Sequence, residues 1–399
     1  MRERCNRRPS SVHRQARGSD CISANPCNFH RDFARVLFAT TALVGSAGVA
    51  AADVAVTGLA EMGIMGGTTI GNDLEFFTDI DVTFTMSGTT DGGLTFGASI
   101  DLDESDGANS PFMLSEAVVG IDLNNDGDQI DTFPVPTSGE SNAFNPRRQG
   151  GESIFISGAF GTLTMGDTDG ALDFVMREVN TGLGGSLNDD ETSHPGFNGN
   201  SVMDGFNNGD GQIARYDYTF NSVTFAASAE IVDTPAGSEG PTYGIGVSYA
   251  AAMAGADLTF GLGYQAYSQN GVTSSTVGVS ASAELSSGLV LNANYSSFTN
   301  VFSGFGNQGV RTQYNNHIGV GIGYTMGAIT VGANYGVYDA TVAGEANREG
   351  FGLTANYDLG GGAILQAGYG NGTYADRSTA AVGDTLRQET YTFGLAMTF

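Results

Sequence analysis

Apolar and polar residues alternate one for one along most of this chain. From Asp79 to Ser87, Ile80, Val82, Phe84 and Met86 fall on one face, and Asp79, Asp81, Thr83 and Thr85 on the other. Period two is the mark of a β-strand with two unlike faces. Leu94 to Asp103 repeats it with Leu94, Phe96, Ala98, Ile100 and Leu102. Later copies carry Tyr243/Ile245/Val247/Tyr249, Leu258/Phe260/Leu262/Tyr264, Ile318/Val320/Ile322/Tyr324 and Ile329/Val331/Ala333/Tyr335/Val337. The last, Tyr391 to Phe399, runs to the final residue. The opposite face is Thr, Ser, Asn, Gly or a charge almost every time. The pattern predicts an all-β chain of about sixteen antiparallel strands. Two architectures share such alternation. A soluble sandwich turns the apolar face inward, whereas a transmembrane barrel turns it toward lipid and keeps small polar residues around a wet lumen.

The connections point to the barrel. Tight turns at Thr90-Asp91-Gly92, Gly158 to Gly161, Ser286-Ser287-Gly288 and Gly360-Gly361-Gly362 alternate with long Asn/Asp/Gly/Ser segments at 104–150, 168–211, 299–311 and 374–386. Short turns at one end and long loops at the other are the barrel layout. Tyr243, Tyr249, Tyr264, Tyr295, Tyr324, Tyr335, Tyr357 and Tyr369 supply interfacial aromatics in a chain without Trp. No stretch of about eighteen apolar residues is present, so no transmembrane helix is expected. Backbone groups in lipid are then satisfied only by a closed barrel.

Composition adds a destination and a charge. An Arg-rich start, the apolar run Phe33 to Val44 and the small residues up to Ala52 form a secretory targeting segment, 1–52, with cleavage expected before Asp53. All three cysteines lie in that segment, which leaves 53–399, a single barrel domain, without thiol chemistry. The chain has no Lys; residues 53–399 hold eight arginines against 40 acids, a formal net of −32. Such acidity argues against nucleic acid and for cations.

Particular hairpins carry a family resemblance. Phe84 to Asp91 continuing into Leu94 to Ser99, then Ile156 to Asp167, and the turn Asn356 to Gly362 resemble hairpins of the alphaproteobacterial general-diffusion porins, the Rhodobacter type, of the Gram-negative outer membrane. A strand ending on Phe399 also resembles the signal by which outer-membrane proteins are recognised for insertion. The resemblance covers 53–399. It implies a homotrimer in outer-membrane lipid and lipopolysaccharide. Each barrel would have sixteen strands, its third long loop folded into the lumen, and would pass small hydrophilic solutes and ions.

The segment 168–211 fits that inward loop. It carries Asp189, Asp190, Glu191 and Asp204 among its acids, with Arg177 as its sole arginine. Composition alone fits a solvated surface loop equally well; the resemblance favours the lumen. Tyr216, Tyr218 and Phe220 share a face, which sends Arg215 and Asp217 inward. These residues are the expected constriction, where a ring of charge sets ion preference. Porins of this type commonly oppose an acidic loop with basic residues on the early strands. Here that wall carries Glu61, Asp79, Asp81, Asp101 and Asp103, and only Arg215, Arg147 and Arg148 answer them. A negative, cation-preferring pore is expected. Asp122, Asn124, Asp126 and Asp128 sit at alternate positions around a Gly turn, as oxygen ligands of Ca2+ do. Phe133 stands where a calcium loop needs Glu, and a solvated turn fits better. No cofactor is otherwise implied. Only His194 and His317 remain after residue 52, and no G-x-S-x-G motif accompanies them, so an enzyme is not expected. The rival reading is a structural or adhesive barrel whose loops bind a partner, which a conductance measurement separates from a pore.

Overall fold

The computed structural model describes residues 53–68, 74–103, 115–119, 130–134, 149–200, 212–231, 239–269, 272–300, 302–303, 312–341, 345–375 and 384–399. The targeting segment, Asp122, Asn124, Asp126, Asp128, Arg147, Arg148 and Asp204 lie outside the described residues.

Sixteen antiparallel strands form one closed sheet. In chain order they are β1 (Asp53–Gly67), β2 (Leu74–Thr89), β3 (Thr95–Asp103), β4 (Gln149–Gly158), β5 (Gly161–Gly166), β6 (Gln212–Phe220), β7 (Val223–Ile231) and β8 (Glu239–Met253). Then come β9 (Ala256–Gln269), β10 (Val272–Leu285), β11 (Leu289–Thr299), β12 (Thr312–Met326), β13 (Ile329–Ala340), β14 (Arg348–Gly360), β15 (Ala363–Ala375) and β16 (Thr385–Thr398). Each pairs with the next, and β16 returns to β1, with Glu61 opposite Ala396 and Ile64 opposite Phe393. The Phe399 carbonyl accepts from the Gly58 N–H at 3.2 Å, and its N–H donates to the Gly58 carbonyl at 2.9 Å. Closure leaves no unpaired edge, the only way a sheet meets lipid without orphaned backbone groups. A two-residue stub, Phe302–Ser303, adds to the outer end of β12, and Ser115–Val119 pairs with Ile130–Pro134 as a separate two-stranded sheet between β3 and β4.

Exposure decides between barrel and sandwich. On β10, Thr276 and Ser280 are 2% and 7% exposed, while Val277 and Val279 between them are 44% and 43% exposed. The same inversion holds on β2, where Asp79 is buried and Ile80 exposed. A soluble protein would bury the valines, because a monomer in water rarely exposes more than a few hundred Å² of contiguous apolar surface. Here the apolar face points outward around the whole sheet. Tyr249, Phe260, Tyr324 and Tyr357 stand exposed near the short-turn end, and Tyr243, Tyr264, Tyr295 and Tyr335 stand exposed further up. The short turns are tight. Gly288 has φ +88 between β10 and β11, where its N–H and carbonyl both bond, and a Cβ there would strike the Thr325 backbone.

Among the described residues the buried apolar side chains form small clusters rather than one large core. Two of the buried apolar clusters join a segment after β5 to the inner wall: Leu187 with Met65, Phe77 and Ala396, and Ala171, Leu172, Val175 and Met176 with Ala226. The third is an aromatic stack of Tyr267, Phe298, Tyr314 and Tyr338.

Candidate pore constriction

The segment 167–200 leaves β5 and turns into the barrel. Its root is a single helical turn, α1 (Ala171–Val175). Leu172, Val175 and Met176 are spaced to share a helical face and are buried against the wall. The Ala171 N–H donates to the Ser228 hydroxyl of β7 at 2.8 Å. Arg215 on β6 holds the turn from below. Its Nη1 donates to the Asp169 carbonyl at 2.7 Å and to the Thr168 hydroxyl at 3.2 Å. Its guanidinium carbon lies 3.9 Å from the Phe174 ring centroid, and its Nε is 3.7 Å from the Asp217 carboxylate. Its Nη1, its charge and its planar face are engaged, so Arg215 anchors the loop root rather than offering a free cation to the lumen.

Beyond α1 the loop lies along the inner wall, and the small polar face of the strands satisfies its backbone. The Arg177 N–H donates to Ser280 on β10 at 2.8 Å. Asn292 on β11 donates to the carbonyls of Val179 and Thr181, at 3.1 and 2.7 Å. Thr354 on β14 reaches the Leu183 carbonyl at 2.8 Å, and Thr392 on β16 the Leu187 carbonyl at 2.9 Å. Leu187 is the far tip, fully buried where β1 meets β16. The chain then returns along the same wall. Asn334 on β13 donates to the Glu191 carbonyl at 2.8 Å and, through its Oδ1, pairs with His194 Nε2 at 2.6 Å. His317 Nε2 donates to the Gly196 carbonyl at 2.9 Å, which leaves Nδ1 to accept from Asn198 at 3.4 Å. The Tyr338 hydroxyl donates to the Phe197 carbonyl at 3.2 Å, and Gln388 to that of Ser193. Carbonyls held away from bulk water need such donors. The two histidines are therefore loop clamps.

This packing hides most of the acids expected at the constriction. Asp190 and Glu191 are 1% and 3% exposed, Asp189 is half-buried, and Arg177 is the exposed side chain of the described loop. On the wall Glu61 and Asp79 are buried opposite one another across β1 and β2, and Asp81 and Asp101 are half-buried. Asp103 stands opposite Asp81 in register. Asp217 is half-buried beside Arg215. The loop tip brings the two acidic sets together. Glu191 feels the charge of Glu61 as well as that of Asp190, and it accepts from the Ser186 hydroxyl. Burial pushes the Asp190 carboxyl up to about 7, against the opposing Asn188 amide, which donates to its Oδ1 at 3.5 Å. Burial raises Glu191 in the same direction. His194 is held down to about 4 by burial, although its bond to Asn334 favours the charged form. Among the described residues no group of three His, Cys, Asp or Glu side chains is arranged to hold a metal ion.

Sequence reasoning missed the donors Asn292, Asn334, Thr354 and Thr392, because one polar residue on a lumen face looks like any other. It also missed the glycines beneath the loop. Their signal was present as Gly-x-Gly spacing inside strands, as at Gly261/Gly263 and Gly319/Gly321/Gly323. Glycine in a strand interior marks a place where another backbone comes close.

Residues 39–377 match the family model described as Gram-negative porin. The porin of Rhodobacter capsulatus is 27% identical over 339 residues, 79% of this chain and 93% of that relative. A porin structure refined at 1.8 Å superposes with a TM-score of 0.58 at 23% identity, covering 87% of this chain and all of the other. A mutant of Rh. blastica porin gives a TM-score of 0.54 at 16% identity over the same shares.

Proposed function

Since the chain belongs to the Gram-negative porin family and forms a channel of the outer membrane, we propose that it passes small hydrophilic solutes and ions by passive diffusion, with cations favoured. The observation that carries the preference is the sign of the lumen wall. Glu61, Asp79, Asp81 and Asp101 face inward from three adjacent strands, whereas Arg215 is buried in the loop root. An inner wall of one sign concentrates counter-ions and repels the other sign. Arg177, exposed on the loop, and Arg348 on β14, whose guanidinium carbon lies 5.6 Å from the Tyr338 ring centroid, are the opposing charges in the described part of the lumen. The formal −32 of residues 53–399 supports the same sign, but charge on outer loops is screened beyond about 8–10 Å.

The active form is a homotrimer, made from a precursor that loses residues 1–52 and embedded in outer-membrane lipid and lipopolysaccharide. The chain works without a cofactor, although Asp122, Asn124, Asp126 and Asp128 would offer oxygen ligands to Ca2+. The test is planar-bilayer recording of the purified protein, with the zero-current potential read across a salt gradient. A conducting, cation-selective channel is expected. Anion selectivity overturns the preference, and absence of conductance favours the adhesive reading.

A further inference from the structure

The inner wall beneath the loop is glycine at position after position. Gly246 and Gly263 are paired across β8 and β9, Gly321 and Gly323 follow on β12, and Gly352 is paired with Gly370 across β14 and β15. These are strand interiors, where glycine weakens a sheet and has no side chain to pack. What occupies the missing volume is the loop. A Cβ on Gly321 would overlap the Val179 carbonyl oxygen, one on Gly352 the Glu191 carbonyl oxygen, and one on Gly370 the Asp190 carbonyl oxygen. At the tip, Leu187 Cδ1 would lie 2.6 Å from a Cβ on Gly63. The outgoing arm, the tip and the returning arm all rest on backbone with no side chain between. The hydrogen bonds from Asn292, Asn334, Thr354 and Thr392 hold the loop down onto this surface.

We propose that these lumen-facing glycines are positioning residues that set the depth at which the loop seats, and through it the open cross-section of the pore. The inference rests on the channel reading. The loop lies along the inner wall from β7 round to β1, so a displacement of it away from that wall is a displacement into the conducting space. An added methyl under a carbonyl forces the oxygen out to about 3.3 Å, the near limit of C–H···O contacts, a retreat of roughly 1 Å or more.

The glycines differ in what they touch, and this makes the inference testable. At Gly321 and Gly352 the obstructing atom is a loop carbonyl, which moves only with the loop. At Gly278 it is the end of the Met176 side chain, with Cε at 2.8 Å and Sδ at 3.1 Å, and an unbranched thioether swings aside. Gly321→Ala and Gly352→Ala should therefore lower single-channel conductance and the size limit for neutral polyethylene glycols. Gly278→Ala should leave both at the parent value. If the glycines served only the strands, all three substitutions would act alike, and alanine would be neutral or helpful. Equal conductance in the folded parent and Gly352→Ala, or equal loss in Gly278→Ala, overturns the inference. Should Gly352→Ala not assemble, the same substitution is made with residues 171–200 replaced by a short Gly/Ser linker. Restored assembly is expected, and continued failure assigns Gly352 to the strand and overturns the inference. A silent parent overturns the channel reading, and this inference with it.

Discussion

Titrating the loop tip tests the constriction most directly. The perturbation is a change from pH 5.5 to pH 9 across the parent and the double variant Asp190→Asn with Glu191→Gln. Both carboxyls are almost wholly buried, and Asp189 and Glu61 add repulsion to the cost of burial. Raising Asp190 from 3.8 to about 7 corresponds to a penalty of about 4 kcal/mol on its charged form, at 1.36 kcal/mol per pKa unit. A raised pKa means neutral below that value and charged above it. As pH rises through neutrality, the narrow part of the lumen gains negative charge from Asp190 and Glu191 together, and cation preference should rise. Linkage gives the sign for the loop itself. A carboxyl whose pKa is raised by docking favours the docked state fully below about 4, and that benefit is lost as pH rises through about 7. The tip should therefore be seated less firmly at pH 9, with noisier open-channel current. His194, held down to about 4 when docked, works the other way below the ordinary imidazole value of 6.5, because the undocked ring would take up its proton first, so the noise is compared above pH 6.5. The assay is the zero-current potential and current noise at each pH. In the double variant both should be flat with pH. Identical pH profiles for parent and variant, or a parent whose cation preference falls as pH rises, would refute the reasoning.

Other outcomes follow from single contacts. Leu187→Ala removes the fully buried tip anchor between Met65, Phe77 and Ala396 at a local cost of roughly 2–5 kcal/mol; limited proteolysis should then cut the loop in the folded barrel, where the parent resists. Arg215→Met strips the donors from Asp169 and Thr168, and protease sensitivity should appear near α1; Arg215→Lys should rescue it poorly, since one ammonium cannot reproduce a fork that also covers the Phe174 ring. Phe84→Arg puts a charge on the lipid face at roughly 2–4 kcal/mol near the midplane and should impair assembly. Thr83→Arg, beside the Asp101 carboxylate that Thr83 already meets at 2.9 Å, should assemble and weaken cation preference; equal yields of the two would overturn the face assignment. Edman sequencing of the outer-membrane protein should begin at or near Asp53, and recovery of residues 1–30 would refute the targeting segment.

The strands were legible in the chain alone because their information is local. Alternation at Asp79 to Ser87 or Ile329 to Val337 fixes which side chains share a face, and the pleat permits no other arrangement. Alternation was silent on which face looked outward. The exposed Val277 and Val279 beside buried Thr276 and Ser280 decided that. The fate of the charges was not legible either. Asp190 and Glu191 read as free acids, and Arg215 as a free base, because a sequence carries residue types without their solvation. Folding the loop back against the wall buried the two carboxyls, brought Glu191 under the charge of Glu61, and closed Arg215 over Phe174. The hydrogen bonds that hold the tip and the returning arm to the wall join residues more than a hundred positions apart, such as Glu191 with Asn334 and Leu187 with Thr392. A desolvation cost exists only once both partners are in place. The local sequence determined the barrel, and the closure of the barrel around its own loop decided the electrostatics of the pore.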